Sequence, residues 1–412
     1  MFSIKKKNIS YYLLFLIWPL FSVIIAFKNR NWVALRNTIW LFSGFFGYTF
    51  VTQFETMDAF RHRENFVNIA NYGSFQEFFS NIYVTNGEVD VLLIFIKYFI
   101  AIFTANPDVF YAVLGLTFGY FYSGNIVYFL KEVDGKIFNK YVVVSFLLVT
   151  FTIAVWEINS FRYWTGAHLI IYFILKSIFE GEKKYFHFIL FAPFIHYALL
   201  LVVFLLYLYK YFGNRITIYF YLFVASLFIT NIDLSFLAYY IDLTEVEVLE
   251  YRALPYLSED YREMRLEQAD TRNWYAQYYY RVLIWVTNIF VILLYALKSK
   301  LIISYNEKKL YSIGLILLSF GNALMSVPAV GSRSIRIGII FFYFLIGIVL
   351  YKHQIKSKLI SLYLPIFYIS IIFYLIVHFR IGAGMTNILV LIGNPFIVIL
   401  TDLKFALIEL VK

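Results

Sequence analysis

Four residues of this 412-residue chain have side chains that do chemistry, in neighbourhoods that do not otherwise call for them. They are Asp58 in FETMDAFRHRENF, Glu157 and Arg162 in WEINSFRYWTGAH, and His196 in PFIHYALL. An arginine is always charged, and its planar fork matches the oxygens of a phosphate or carboxylate. A histidine or carboxylate within hydrogen-bond reach of a hydroxyl can take its proton. Anion recognition and acid–base chemistry are therefore the two capabilities on offer. Each residue also has a plainer use: Glu157 can neutralise Arg162, and His196 can end a helix bonded to a nearby carbonyl. Further arginines widen the anion reading. Arg61 follows Asp58, while Arg333 and Arg336 in GSRSIRIGIIFF and Arg380 in HFRIGAG have no acid close in sequence. A charge placed in a membrane span costs about 2.5–3.5 kcal/mol on insertion scales, so such residues usually serve a site or a pathway.

The elements that must hold these residues are set by composition. The chain is 62% hydrophobic, 22% aromatic and only 15% charged, against roughly 25% charged in an ordinary soluble domain. Apolar stretches recur from end to end, many near the roughly 20 residues that cross a hydrocarbon core. The expected fold is all-α: one polytopic transmembrane domain over 1–412 with about 11–13 membrane segments, some short or re-entrant. The larger outer loops fall at about 55–108 and 231–280. The absence of cysteine excludes disulfides, thiol nucleophiles and thiolate metal sites. The N-terminal KKKNISYYLLFLIWPLFSVIIAF lacks a small-residue cleavage site and reads as retained.

Loop charge orients the chain, because lysine and arginine are enriched on the cytoplasmic side. One threading puts 28–36, 131–140, 180–184, 210–215, 298–309 and 352–358 inside, and 55–108, 157–163, 193–197, 231–280, 328–336 and 378–386 outside. It requires the apolar run 91–104 to dip in and return or to lie along the interface. It also requires 185–209 to be two short helices meeting at Pro193 and His196, which implies a cavity on the outer face. A hairpin at Pro19 would reconcile Lys5, Lys6 and Lys7 with the cytoplasm.

With that threading the basic residues sort by type. Arg30, Arg36 and Arg215 are inside, whereas Arg61, Arg63, Arg162, Arg252, Arg262, Arg265, Arg272, Arg281, Arg333, Arg336 and Arg380 are at or beyond the outer boundary. The loop lysines do the reverse. Topology selects for positive charge inside but has no reason to separate arginine from lysine, so anion recognition at the outer face is a second demand. Within 231–280 the arginines have acids at helical spacings and read as a solvated surface. The segment NWYAQYYYR, which includes Trp274 and Tyr278, offers apolar ring faces suited to sugar stacking.

The succession TMDAFRHRENF, GEVDVLLIFIKYFIAIFTANPDVFYAVLGL and NSFRYWTGAHLIIYFILKSIFEGEKKYFHFILFAPFIHYALLL resembles the EpsG-type, Wzy-like polysaccharide polymerases over roughly residues 50 to 210. GSRSIRIGIIFFYF is similar to the arginine-bearing segment of that family's C-terminal half. The resemblance implies a membrane glycosyltransferase of the C type at the outer face of a bacterial inner membrane. It would join oligosaccharide repeat units carried on undecaprenyl pyrophosphate. By position, Asp58, Glu88, Arg162 and His196 take the family's roles. ETMD replaces a glycine-containing element common there, leaving either Glu55 or Asp58 as the relevant carboxylate. The resemblance further implies that Arg162 first, then Arg333, Arg336, Arg380 and Arg61, hold pyrophosphate, that Glu88, Trp274 and Tyr278 contact sugar, and that His196, Asp58 or Glu157 is the base. No metal or other cofactor is expected. The partners implied are lipid-linked donor and acceptor, the bilayer, and the chain-length regulator and flippase of the same pathway, with no nucleic acid. A flippase of lipid-linked oligosaccharide, a ligase-like glycosyltransferase and a transferase using a monophosphate lipid donor are the alternative readings.

Overall fold

The computed structural model describes residues 8–52, 55, 57–70, 76, 90–133, 140–229, 263–264, 267, 273–325, 327–352, 358–401 and 403–410. Helices dominate, and the β-structure described is an isolated bridge between Asn387 and Ala406. In chain order the α-helices described are α1 (Ile9–Ile17), α2 (Pro19–Lys28), α3 (Trp32–Tyr48), α4 (Asp58–Ala70), α5 (Val91–Ala101), α6 (Pro107–Glu132), α7 (Lys140–Phe151), α8 (Phe161–Phe179), α9 (Ala192–Ile195), α10 (Leu199–Phe212), α11 (Ile216–Ser226), α12 (Trp274–Ala296), α13 (Lys298–Leu301), α14 (Tyr305–Ala323), α15 (Pro328–Lys352), α16 (Lys358–Ala383), α17 (Leu389–Ile392) and α18 (Pro395–Leu400).

The chain is a polytopic α-helical membrane protein. Five described segments are long and apolar enough to cross a bilayer: Pro107–Glu132, Val142–Phe179, Trp274–Ala296, Ala329–Lys352 and Ile360–Ala383. On α16, Leu362, Ile366, Ile369, Ile372 and Ile376 are all exposed. Their three- and four-residue spacing makes one continuous apolar stripe, which is a liability in water and the ordinary lipid-facing surface of a span.

The chain forms two compact units. The first comprises Met1–Lys136, Ile153–Leu199 and His378–Lys412, the second Ile137–Thr152 and Leu200–Val377. In the first unit, α1 and α2 make the hairpin expected at Pro19. Trp18 between them is extended (φ −152°, ψ 95°), the Ser22 hydroxyl donates to the Tyr11 carbonyl at 2.7 Å, and Asn31 Nδ2 donates to Asn8 Oδ1 at 2.8 Å. Helices α3 and α6 approach through small residues. A Cβ added at Gly47 would lie 2.1 Å from the Tyr111 carbonyl oxygen, and one added at Gly115 would lie 2.1 Å from that of Ser43. Asn125 on α6 then donates to the His168 carbonyl of α8 at 3.1 Å.

Two short segments behave as the charge threading required. Helix α5 has 11 residues, about 16 Å at 1.5 Å per residue, and cannot span a hydrocarbon core of about 30 Å. Between Lys183 and Phe212 a 3₁₀ stretch (Lys183–Phe191) leads into the four residues of α9, and the chain breaks at His196, which is extended (φ −155°, ψ 117°), before α10 begins.

In the second unit α15 is the central element, with Phe341, Phe342, Tyr343 and Phe344 all buried. It packs on α14 where Gly314 meets the ring of Phe342. Two tyrosine hydroxyls donate to helix carbonyls: that of buried Tyr311 to Val291 at 2.9 Å and that of half-buried Tyr363 to Val286 at 2.6 Å.

Candidate functional site

The site in the first unit is organised by a residue that sequence reasoning did not single out. Asp90 occupies the N-cap position of α5, where a carboxylate ordinarily accepts a backbone N–H of its own helix. It makes no such bond. Its Oδ2 instead accepts from Arg162 Nη1 at 2.7 Å, both its oxygens lie 3.1 Å from His196 Nδ1, and Oδ1 accepts from the backbone N–H of Tyr197 at 3.2 Å. An ionised carboxylate only accepts, so Nδ1 of His196 is the protonated nitrogen. One carboxylate thus fastens three segments: the start of α5, the first turn of α8, and the break after α9.

Local structure delivers each partner. Arg162 is the second residue of α8, directly after the 3₁₀ turn Val155–Ser160. The extended conformation of His196 stops α9, so its imidazole and the next amide both face Asp90. The Asp90 side chain is only 3% exposed, against 28% for Arg162 and 12% for His196. A carboxylate this buried persists in ionised form only when paired and hydrogen-bonded. Burial pushes the Asp90 carboxyl up, but the hydrogen bond from His196, then the charge of Arg162 and the Tyr197 amide, outweigh it and hold the group below its ordinary value.

A second layer lies on α4. Asp58, its first residue, accepts from the Ser160 hydroxyl at 3.0 Å and pairs with Arg61, while the Ala59 N–H donates to Asn159 Oδ1 at 3.2 Å. The turn before Arg162 is thereby tied to the α4 N-terminus. His62 follows and is buried. Burial first, then the charges of Arg162, Lys97 and Arg61, push its imidazole well below the ordinary histidine range. Lys97 is fully buried on α5 and donates to Asn65 of α4. Asp90 and Lys97 stand seven residues apart, two helical turns, so the otherwise apolar α5 carries one polar face.

Of the residues singled out from sequence, Arg162 and His196 meet through Asp90, and Asp58 and Arg61 pair beside them. Glu157 sits on the 3₁₀ turn leading to Arg162; the carboxylate bonded to Arg162 is Asp90. Arg380 is exposed near the end of α16, where His378 and Phe379 pack on Trp156 with ring centroids 5.2 and 5.5 Å away. Glu88 lies outside the described residues, and the described carboxylate that opens the short apolar helix is Asp90. The remaining four belong to the second unit. Arg336 lies over the Tyr280 ring at 5.2 Å, with Arg333 one turn earlier on α15. Trp274 stacks on Phe373 at 6.0 Å yet is 68% exposed, and Tyr278 is also exposed.

Sequence reasoning missed Asp90, His62 and Lys97. An acid directly before an apolar helix, with a lysine seven positions on, is the signal that marks the first and third. A cavity of about 620 Å³ lies elsewhere, in the second unit, on segments that charge threading assigned to the cytoplasm rather than to the outer face. Comparison of the chain with protein-family models, curated proteins and solved structures returns no match.

Proposed function

We propose that the chain is a membrane glycosyltransferase that joins oligosaccharide units carried on undecaprenyl pyrophosphate, acting at the outer face of a bacterial inner membrane. The observation carrying this reading is the bridge from Arg162 through Asp90 to His196. The sequence resemblance to polysaccharide polymerases supplies the substrate class. A carboxylate on Nδ1 fixes the imidazole tautomer and turns Nε2 into the acceptor, the arrangement that serves general bases elsewhere. Arg162 engages Asp90 through Nη1, leaving the rest of its fork for a second anion.

The step follows from those assignments. The acceptor sugar hydroxyl gives its proton to His196 Nε2 as its oxygen bonds to the anomeric carbon of the donor. The bond from that carbon to the pyrophosphate oxygen breaks, and the electron pair leaves on the pyrophosphate. The Arg162 guanidinium stabilises the charge that develops there. Asp90 touches neither sugar nor phosphate: it positions base and cation relative to each other. Arg61, paired with Asp58 beside this centre, extends the anion-binding surface.

Deleting the gene and restoring it, followed by gels of surface polysaccharide and extracted lipid-linked sugars, tests the proposal. Loss of long chains with single repeat units still reaching the outer face is the expected result. Accumulation of lipid-linked units facing the cytoplasm would instead make the protein an exporter and reject the reading.

A further inference from the structure

The cavity in the second unit is a different kind of site. Its polar lining is Asn214, Arg215, Thr217, Lys298, Ser299 and Lys308, with Ile302 and Ile303 and, among the described residues, no carboxylate. The basic segments 210–215 and 298–309, separate in sequence, meet here. We propose that the cavity seats the phosphate of an anionic phospholipid headgroup.

Every polar side chain among the described lining residues is able to donate, and the neighbouring Phe212 and Gly213 carbonyls and the Glu307 carboxylate are already engaged. The turn before α11 is fixed by Gly213 in the left-handed region (φ 69°), by the Tyr219 hydroxyl donating to the Gly213 carbonyl at 2.7 Å, and by the Tyr209 hydroxyl donating to Asn214 Oδ1 at 2.8 Å. That last bond occupies the acceptor of the Asn214 amide and leaves its NH₂ as donor. Arg215 is anchored by Nε on the Phe212 carbonyl at 3.4 Å, which leaves its two terminal nitrogens for a ligand. Lys298 reaches Thr217 at 3.5 Å and covers the Tyr295 ring at 3.7 Å.

The nearest acid in sequence, Glu307, does not discharge this cluster. It is buried and accepts from the N–H groups of Ile303 and Ser304, both at 2.9 Å, and from Lys352 at 3.2 Å. Among the described residues, three cations therefore face a hollow with no lining carboxylate.

The surroundings identify the anion as a lipid's. Candidate span α12 ends at Ala296, two residues before Lys298, so the cavity opens at the level where a span leaves the hydrocarbon. Exposed Ile218 and Ile303 belong to its lining, and exposed Tyr211, Phe212, Tyr221 and Tyr305 flank the lining segments in sequence, apolar and aromatic side chains suited to acyl chains and the interface. Basic pockets between helices at such a level recognise phosphate headgroups.

Native mass spectrometry of the purified full-length protein, titrated with phosphatidylglycerol and separately with phosphatidylcholine, tests this. Phosphatidylglycerol is expected to bind at least about tenfold more tightly. Each cation removed should weaken it about fivefold, so a triple variant Arg215→Gln, Lys298→Gln, Lys308→Gln should lose on the order of a hundredfold and no longer discriminate. Lys298→Arg with Lys308→Arg should retain binding, which separates lost charge from lost fold. Exposed Lys183→Gln with Lys184→Gln should change nothing. Equal binding of the two lipids, or a triple variant that binds like the parent, overturns the proposal. Displacement of phosphatidylglycerol by low-millimolar inorganic phosphate reassigns the cavity to a soluble anion and overturns it as well.

Discussion

The two cationic regions differ in what is done with charge. Around Asp90, a carboxylate that is almost fully buried bridges an arginine, a histidine and a backbone amide. In the cavity of the second unit, an arginine and two lysines surround a space to which no carboxylate among the described residues contributes. The first arrangement spends attraction on geometry: Arg162 and His196 are held in fixed relation whether or not a ligand is present. The second leaves attraction unspent until an anion arrives. Counting basic residues would rank the regions alike, whereas the placement of acids separates a positioning device from a recruiting one.

The largest effect should come from removing the brace. Asp90→Asn keeps shape but strands Arg162 and His196 without their anion. Chain synthesis should fall by about 10²–10⁴, the range for loss of general acid–base catalysis, and the purified protein should lose about 3–5 kcal/mol of stability, as for half of a buried ion pair removed. Near-parental chain synthesis by this variant would erase the distinction between the two regions. Arg162→Lys comes next. It retains the charge and loses the fork, so membrane insertion should be normal while activity falls about 10- to 100-fold, the equivalent of one charge-assisted hydrogen bond. A full-strength lysine variant would show that only charge matters here, as the cavity proposal holds for its own lysines.

Acid sharpens the comparison further. His62, held neutral in the fold, has its affinity for protons depressed by burial and by Arg162, Lys97 and Arg61. The unfolded chain binds that proton near its ordinary pKa of about 6.5 and the folded chain does not. The stability His62 contributes is therefore complete above about pH 6.5 and declines as pH falls towards its lower folded value. Asp90, also depressed, adds a loss in stronger acid, below the ordinary carboxylate range. Thermal unfolding at pH 7.5 and pH 5 should show a drop that His62→Gln reduces; an identical drop in the variant would remove His62 from the cationic group. The smallest effect belongs to Arg61→Ala. Its partner Asp58 is partly exposed and Arg61 is 67% exposed, so the stability change should stay below about 1 kcal/mol. A larger loss would mean that the brace extends to α4.

Much of the fold was written in local pattern. Composition and apolar run lengths announced a helical membrane protein. Pro19 marked the N-terminal hairpin, and the requirement that loop charges alternate forced the interruption found at His196. Arg162 and His196 were legible because each violates its apolar surroundings. Asp90 was not, for a physical reason: an acid just before a helix is ordinarily its cap, and what distinguishes this one is a pair of contacts reaching 72 and 106 residues along the chain. Glu88, two positions earlier, drew the assignment by its position in the family resemblance. His62 looked like one more polar residue of an acid- and base-rich loop until burial was known. Nor does any local signal mark the division into two units, since the chain changes unit inside continuous apolar sequence at Thr152 and again at Val377.

The break at His196 also bears on how the protein is made. A nascent chain releases α5 with Asp90 long before it releases His196 and Tyr197, and in that interval the carboxylate lacks the imidazole and the amide that complete its shell. An 11-residue helix carrying Lys97 offers the translocon no span to hand over to lipid. Residence at the water boundary is the low-energy state for α5 until residues 192–197 emerge, and capture of Asp90 by the late-arriving segment is then the event that fixes α5, with His378–Lys412 joining the unit later still.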